Sequence, residues 1–374
     1  MSAARCVMIA AGGTGGHLFP AQSLAEALRA RAIPVELATD SRALKYGGGF
    51  PARAIHAFPS ATPTDAGLSA KARAAVMLAW GTLLARIRIG RIAPLAMVGF
   101  GGYPTVPPLL AATNLNVPSL LHEQNAVMGR ANRFLARRVN FIATGFPDLG
   151  GLDANLRAKT RYVGNPVRPS VIEAAKIPYP GRPDGRLRVL VTGGSQGARV
   201  MADIVPAALA LLAPSERDRL RVTQQARGED KARVAAVCAA MTFPIEIEEF
   251  FSDLPARIAA SHLVIGRSGA STVSELAVIG RPSILVPFPF ALDNDQAANA
   301  ATLRAVGAAQ VVAQKDFTPE ALAALLREAL DNEPALARRA AAAKAAGVAD
   351  AAERLADLVM QAAGLPGAAP PARG

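Results

Sequence analysis

The feature that most constrains this sequence is a design used twice. An apolar run, Arg5 to Ala11, leads into Gly12-Gly13-Thr14-Gly15-Gly16-His17 and then a helix-forming stretch from near Pro20 to Ala30. Half a chain later, Leu187 to Thr192 leads into Gly193-Gly194-Ser195-Gln196-Gly197-Ala198 and a second helical stretch, Arg199 to Leu212. The loops begin 181 residues apart, at Gly12 and Gly193. A strand that enters a helix through glycines brings backbone N–H groups and the helix dipole onto an anion, most often a phosphate. Two such openings predict an α/β chain of two Rossmann-like domains, and 374 residues suffice for two cores.

The loops also exclude chemistry. Counted from Gly13, the sixth position is Leu18, so the dinucleotide fingerprint is broken, and neither loop ends in the GK[ST] of a nucleoside triphosphatase. Gly193 to Gly197 does have the form GxSxG, which makes a serine hydrolase built on Ser195 the rival enzyme. The only later histidine, His262, stands at the entry end of the apolar run Leu263 to Gly266. Functional residues of open α/β sheets gather at the carboxyl ends instead.

Charge is unevenly spread. Lys and Arg number 41 against 29 Asp and Glu, and up to Val167 the count is 18 against 7, so nearly all the excess lies there. That half should face an anion: nucleic acid, a membrane surface or a phosphorylated substrate. Aromatic residues at 5% weaken a nucleic-acid reading that depends on base stacking. Cys6 and Cys238 have neither disulfide nor zinc spacing, which fits a reducing cytosol. The N-terminus lacks a signal-peptide pattern, and the uncharged stretch Ile92 to Leu121 is broken by glycines and prolines, so no transmembrane span is expected. From Lys71 to Arg91 the sequence reads as an amphipathic helix with Val76, Trp80, Leu83, Leu84 and Ile87 on one face and Arg86 and Arg88 beside it. That face either packs into the core or lies on an anionic membrane.

Arg267-Ser268-Gly269-Ala270-Ser271-Thr272-Val273-Ser274-Glu275 opens a third helix where backbone donors could hold a diphosphate; Thr272 and Glu275 alternatively read as a capping box. An outward Glu275 would reach ribose hydroxyls. His122-Glu123-Gln124-Asn125 should surface at a sheet's carboxyl edge, with Asn125 either functional or a helix cap. Asp293-Asn294-Asp295 has no further ligand spaced to complete a metal shell, and His56 has no partner pattern and reads as a surface residue. Gly164 to Pro169 interrupts both periodicities and marks the boundary. The expected division is 1–165 and 166–349, with a last helix at 350–363 joining the first domain and a disordered tail at 364–374.

Six segments together resemble one family: GGTGGHLFPAQSLAEAL near the start, GFGGYPTVPPLLAA from Gly99, LLHEQNAVMGRANRFLA from Leu120, VGNPVR from Val163, VTGGSQGAR from Val191, and GRSGASTVSELAVIGRPSILVPFPFALDNDQAANA from Gly266. The sequence resembles the MurG family of peptidoglycan glycosyltransferases, within glycosyltransferase family 28. The resemblance implies a GT-B fold, two Rossmann-like domains with parallel sheets facing across a cleft, and a metal-independent, inverting enzyme without cofactor. It implies transfer of N-acetylglucosamine (GlcNAc) from UDP-GlcNAc to the N-acetylmuramic acid (MurNAc) of undecaprenyl-pyrophosphoryl-MurNAc-pentapeptide, lipid I, to give lipid II. The partners implied are the UDP-GlcNAc donor, the lipid I acceptor, an anionic membrane surface, and cell-wall synthesis or division proteins, with no nucleic acid. The place implied is the cytoplasmic face of the inner membrane, held peripherally.

Carried over by motif, Arg168, Ser195 and Ala270-Ser271-Thr272, extended by Val273 and Ser274, hold the diphosphate and Glu275 the ribose. The backbone of Phe251 reads uracil, Asn125 and Gln296 touch sugar hydroxyls, and Thr14, Gly15 and Gly16 lie near donor and acceptor. His17 is the general base for the MurNAc 4-hydroxyl, with Glu123 as the alternative. Phe251 and Asp295 depart from the family pattern, which carries an aliphatic residue at the first and a second polar residue at the other.

Overall fold

A computed structural model describes residues 5–12, 15–41, 49–62, 67–194, 197–241 and 243–366. Thr14, Ser195 and the end of the tail, 367–374, therefore lie outside the described residues. The chain forms two units, Met1–Arg168 with Ala349–Gly374, and Pro169–Val348.

The first unit has a seven-stranded sheet: β1 (Val7–Ala10), β2 (Val35–Thr39), β3 (Ala54–Ala57), β4 (Ala96–Gly99), β5 (Ser119–Glu123), β6 (Phe141–Thr144) and β7 (Thr160–Tyr162). Their order is β3-β2-β1-β4-β5-β6-β7, with every pairing parallel. Among the described residues the α-helices that connect them are α1 (Gly15–Ala30), α2 (Gly67–Ile92), α3 (Val106–Asn114), α4 (Arg130–Leu135) and α5 (Ala154–Ala158). All four residues of β1 are fully buried, because a parallel sheet is covered on both faces.

The second unit opens with α6 (Pro169–Ala174). Its strands are β8 (Leu187–Thr192), β9 (Leu220–Gln225), β10 (Ile245–Glu248), β11 (Leu263–Gly266), β12 (Ser283–Leu285) and β13 (Ala309–Val311), in the parallel order β10-β9-β8-β11-β12-β13. The helices between and after them are α7 (Arg199–Ala210), α8 (Pro214–Arg217), α9 (Gly228–Ala240), α10 (Leu254–Ala260), α11 (Ala270–Ile279), α12 (Asp295–Ala305), α13 (Pro319–Asp331) and α14 (Glu333–Ala346). The chain then returns to the first unit as α15 (Ala351–Ala362).

In the first unit α1 and α15 pack one face of the sheet, through Leu24, Leu28, Leu355 and Val359, while α2, α3 and α4 cover the other. Counted over the whole sequence, the first unit holds 21 Lys and Arg against 10 Asp and Glu, the second 20 against 19. The charge imbalance is thus a property of one folded unit.

Four local expectations change. Helix α1 begins at Gly15, ahead of Pro20, so Gly15, Gly16 and His17 form its first turn and not a loop. The first N–H groups of a helix need no internal acceptor, and Pro20, inside the second turn, forfeits a single bond. Helix α11 starts at Ala270 with Gly269 as its N-cap and no side-chain cap, so Thr272 and Glu275 do not form a capping box. Leu84 leaves the expected outer face of α2 and packs on the core with Ala85 and Ile89. His56 is buried, for a reason given below.

Candidate functional site

In each sheet the strand order reverses beside the first strand, and the loops leaving the two diverging strands meet at the carboxyl edge. In the first unit these are the loops after β1 and β4. The second contains Gly101 and Gly102, whose φ angles of 84° and 74° favour glycine. The His17 ring lies against them: a Cβ on Gly101 would stand 3.5 Å from its Cδ2, and one on Gly102 3.6 Å from its Cε1. Burial pushes the half-buried imidazole below its ordinary pKa of 6.5, and the positive end of α1 acts in the same direction. At neutral pH His17 is therefore a neutral proton acceptor.

Beside it, Glu123 closes β5 with only 2% of its surface exposed. Its Oε1 accepts the backbone N–H of Asn125 (3.0 Å) and, more loosely, the Asn125 side-chain amide (3.5 Å). Its Oε2 accepts the N–H of Gly129 (2.9 Å) and the Asn132 amide (2.8 Å). Burial pushes the Glu123 carboxyl up, against the pull of these donors. The arrangement makes Glu123 a clasp for the 124–129 loop, and Asn125 is held by it and does not cap α4, whose N-cap is Gly129. Behind the clasp, fully buried His122 contacts the Gly164 carbonyl through Nε2 (3.0 Å) and accepts the Gln124 amide at Nδ1 (3.2 Å); Asn165 donates to the Gln124 carbonyl (2.9 Å). Gly145 is bare because a Cβ there would collide with the Asn165 side chain. Burial brings His122 down to about 4. Arg168, at the end of this unit's first segment, stacks on Phe19 of α1.

In the second unit Gln225, at the end of β9, shapes the loop after β8. Its Oε1 accepts Thr192 Oγ1 (3.0 Å) and the Gly193 N–H (3.1 Å), and its Nε2 donates to the carbonyls of Gly194 (3.2 Å) and Glu249 (3.1 Å). Gly193 is close-packed on this loop: a Cβ would strike the Ala198 backbone. The loop after β11 enters α11, whose first residues, Ala270, Ser271 and Thr272, have N–H groups preceding the intrahelical bonds. The Val273 N–H already bonds the Gly269 carbonyl (3.0 Å) and the Val273 and Ser274 side chains are buried in the helix, so neither presents a donor as freely as the three before it. Glu275 is 7% exposed and does not face outward. Phe251 is buried under the Arg257 guanidinium, 4.5 Å from its ring centre. The amide oxygen of Gln296 accepts the Phe288 N–H (3.0 Å) and its carbonyl accepts Ser268 Oγ (2.8 Å). Arg267, stacked over Phe288, holds the carbonyls of Val286 (3.0 Å) and Pro287 (3.1 Å). Asp293 and Asn294 adopt left-handed backbone, and among the described residues no three His, Cys, Asp or Glu side chains gather as a metal site.

The outer face of α2 exposes Val76 (68%), Met77 (40%), Trp80 (54%), Leu83 (49%) and Ile87 (48%), while Ala74, Gly81, Ala85 and Ile89 face inward. A Cβ on Gly81 would collide with the Pro59 carbonyl, which is how closely this helix lies on the unit. Arg86 is exposed, but Arg88 is not simply a surface charge. Its Nε donates to Nδ1 of His56 (3.2 Å), whose Nε2 donates to buried Glu36 (2.7 Å), which also binds Arg53 (2.7 Å). That chain is why His56 is inside: it joins α2 to the sheet. Among the described residues no helix is long and apolar enough to cross a membrane.

His262 also argues against the hydrolase reading. It is fully buried at the amino end of β11, its Nδ1 accepting the Arg188 N–H (2.8 Å) and its Nε2 bonded to the Gly181 carbonyl (3.0 Å), at the opposite end of the strands from Gly193. The sequence reading missed Gln225 and Asn132, and named Arg267 only as part of the segment that opens α11. Gln225 and Arg267 act by bonding backbone distant in the chain, and Asn132 by bonding the Glu123 carboxylate, which no local pattern announces.

Two Rossmann-like units of this strand order, with glycine loops at the carboxyl edges and no dinucleotide fingerprint, have the architecture of the GT-B fold. The chain belongs to glycosyltransferase family 28: residues 7–144 match the family's N-terminal domain and residues 188–355 its C-terminal domain. It is 57% identical to the UDP-N-acetylglucosamine--N-acetylmuramyl-(pentapeptide) pyrophosphoryl-undecaprenol N-acetylglucosamine transferase of Methylobacterium radiotolerans, over 96% of this chain and 97% of that protein. To the transferase of the same name from Rhodopseudomonas palustris it is 53% identical, over 98% of each. Among solved structures it is similar to Acinetobacter baumannii MurG, with a TM-score of 0.78 and 28% identity over 96% of this chain and 99% of that one.

Proposed function

We propose that this chain transfers GlcNAc from UDP-GlcNAc to the 4-hydroxyl of MurNAc in lipid I, forming lipid II for peptidoglycan. The observation that carries the reading is the 53–57% identity, over nearly the full length, to transferases of that name. In the step, His17 takes the proton of the 4-hydroxyl as O4 bonds to the anomeric carbon. The bond from that carbon to the diphosphate oxygen breaks with its electron pair on UDP, and the configuration inverts. The N–H groups of Ala270, Ser271 and Thr272, together with Arg168 and the Ser195 loop, meet the charge on the leaving diphosphate, so that no metal is required. Glu275 accepts from the ribose, the Phe251 backbone reads uracil, and Thr14, Gly15 and Gly16 line the acceptor's approach. Asn125 and Gln296 bind sugar hydroxyls, Gln296 through its amide nitrogen because its oxygen already holds Phe288.

The enzyme works peripherally on the cytoplasmic face of the inner membrane, alongside proteins of cell-wall synthesis and division. The support for this is the excess positive charge of the first unit and the exposed apolar face of α2, a combination that suits anionic lipid. Incubation with UDP-GlcNAc and a lipid I analogue should release UDP only when both are present. UDP release without acceptor, or none with both, would remove the transferase reading, and turnover of an ester probe dependent on Ser195 would replace it with a hydrolase.

A further inference from the structure

We propose that Phe19 is a positioning residue that holds the Arg168 guanidinium ready for the donor's diphosphate; the inference rests on the role given to Arg168 above. The guanidinium carbon lies 4.9 Å from the centre of the Phe19 ring, within cation–π range. Phe19 is not a core residue: 43% of it is exposed, whereas its neighbours on α1, Leu18, Ala21, Leu24, Ala25 and Leu28, are buried. A large aromatic left in water on a helix whose packing is done by other residues calls for a different task, and the stacked arginine supplies one.

A second contact fixes the geometry. Ser23, one turn further along α1 and 5% exposed, donates its hydroxyl to the Phe19 carbonyl (3.1 Å) and to the carbonyl of Val167 (3.0 Å). The turn presenting the ring is thereby tied to the residue before Arg168. A long, flexible side chain is ordered before substrate arrives, which lowers the entropic loss on binding a diphosphate. Because His17 stands two residues before Phe19 in the same helix, the proton acceptor and the ring that holds the cation are mounted on one rigid element.

The test is steady-state kinetics of the full chain with UDP-GlcNAc varied at a saturating lipid I analogue. Phe19→Leu keeps apolar bulk but removes the aromatic face. It should raise the donor KM and the inhibition constant for UDP about three- to tenfold, the range of one cation–π contact. Acceptor KM and the thermal midpoint should stay at wild-type values, and Phe19→Tyr should behave as wild type. In an Arg168→Met background, Phe19→Leu should change nothing further. Additive effects in the double variant, or Phe19→Tyr as impaired as Phe19→Leu, would overturn the positioning role while leaving Arg168 its own. Arg168→Met with wild-type donor kinetics would overturn the diphosphate role itself, and this inference with it.

Discussion

The two units repeat one strand order and use their buried histidines at opposite ends of it. His122 sits at the carboxyl end of β5, in a polar network with Gln124, Asn165 and the Gly164 carbonyl behind the Glu123 clasp. His262 sits at the amino end of β11, tying Arg188 and Gly181 on the far side from the glycine loop. Their arginine networks differ as well. In the second unit Arg281, 1% exposed, donates to the carbonyls of Ala259, Ile279, Gly280, Ile177 and Pro178, ending α10 and α11 and fastening the segment after α6. In the first, Arg88 and Arg53 converge through His56 and Glu36 beneath an exposed apolar helix. The same architecture is braced internally in one unit and carries an exposed apolar helix over a polar chain in the other. The fold therefore does not assign the work; the loops and outer faces do.

The largest effect should come from the proton acceptor. His17→Ala should lower kcat by roughly 10²–10⁴-fold and leave the donor KM near wild type. In the wild type, burial lowers the His17 pKa, so the neutral base survives to lower pH and the acid limb of kcat should fall below 6.5. A kcat unchanged in the variant would make the first unit's carboxyl edge no more catalytic than the second's.

Arg281→Met tests the internal brace. Several buried carbonyls, among them helix-terminal ones, would lose their donor, and the second unit should be destabilised by about 3 kcal/mol. The only tryptophan, Trp80, lies in the first unit. Its fluorescence during denaturant unfolding should keep its midpoint while the circular dichroism transition gains an earlier phase. A shift in both signals would mean that the two units are not braced separately.

The third effect is set by pH. The folded His122 pKa, about 4, lies below the ordinary 6.5, so the folded unit binds fewer protons. This contribution to stability is present above pH 6.5 and is lost as pH falls toward 4, by about 3 kcal/mol in all. The Trp80-reported midpoint should fall over that window, and His122→Asn should flatten the slope. A slope unchanged in the variant would assign the acid sensitivity elsewhere. The smallest effect concerns the surface. Trp80 emission should shift to the blue on anionic vesicles at low salt and return at high salt, and Arg86→Gln should weaken binding by about 1 kcal/mol. Arg88→Gln should in addition lower stability, because it deprives His56 of a partner. Emission indifferent to vesicles would leave the charge asymmetry without its lipid explanation.

Much of this could be read from the chain. Leu263 to Gly266 and Leu187 to Thr192 are strands with the expected bounds, because a strand buried on both faces must be largely apolar; Arg188, near the amino end of the second, is only partly buried. The start of α1 was less legible: glycines and Pro20 read as a loop until the first turn, where free N–H groups are tolerated, is allowed to contain them. Thr272-x-x-Glu275 fits a capping box in sequence, yet Gly269 takes the cap and Glu275 goes inside, since the helix starts where β11 delivers it.

By itself the sequence determined the two parallel-sheet units, their glycine loops, the charge of the first unit and the family, since all of these are written in local pattern and composition. Only the tertiary structure decided that Leu84 packs inward while Trp80 stays out, that His56 is a buried link, that Glu123 is saturated by donors, and that Phe19 carries Arg168. Those depend on which side chains a fold brings together across tens or hundreds of residues, and hydrogen bonds and stacking act over a few ångströms of space, whatever the separation along the chain.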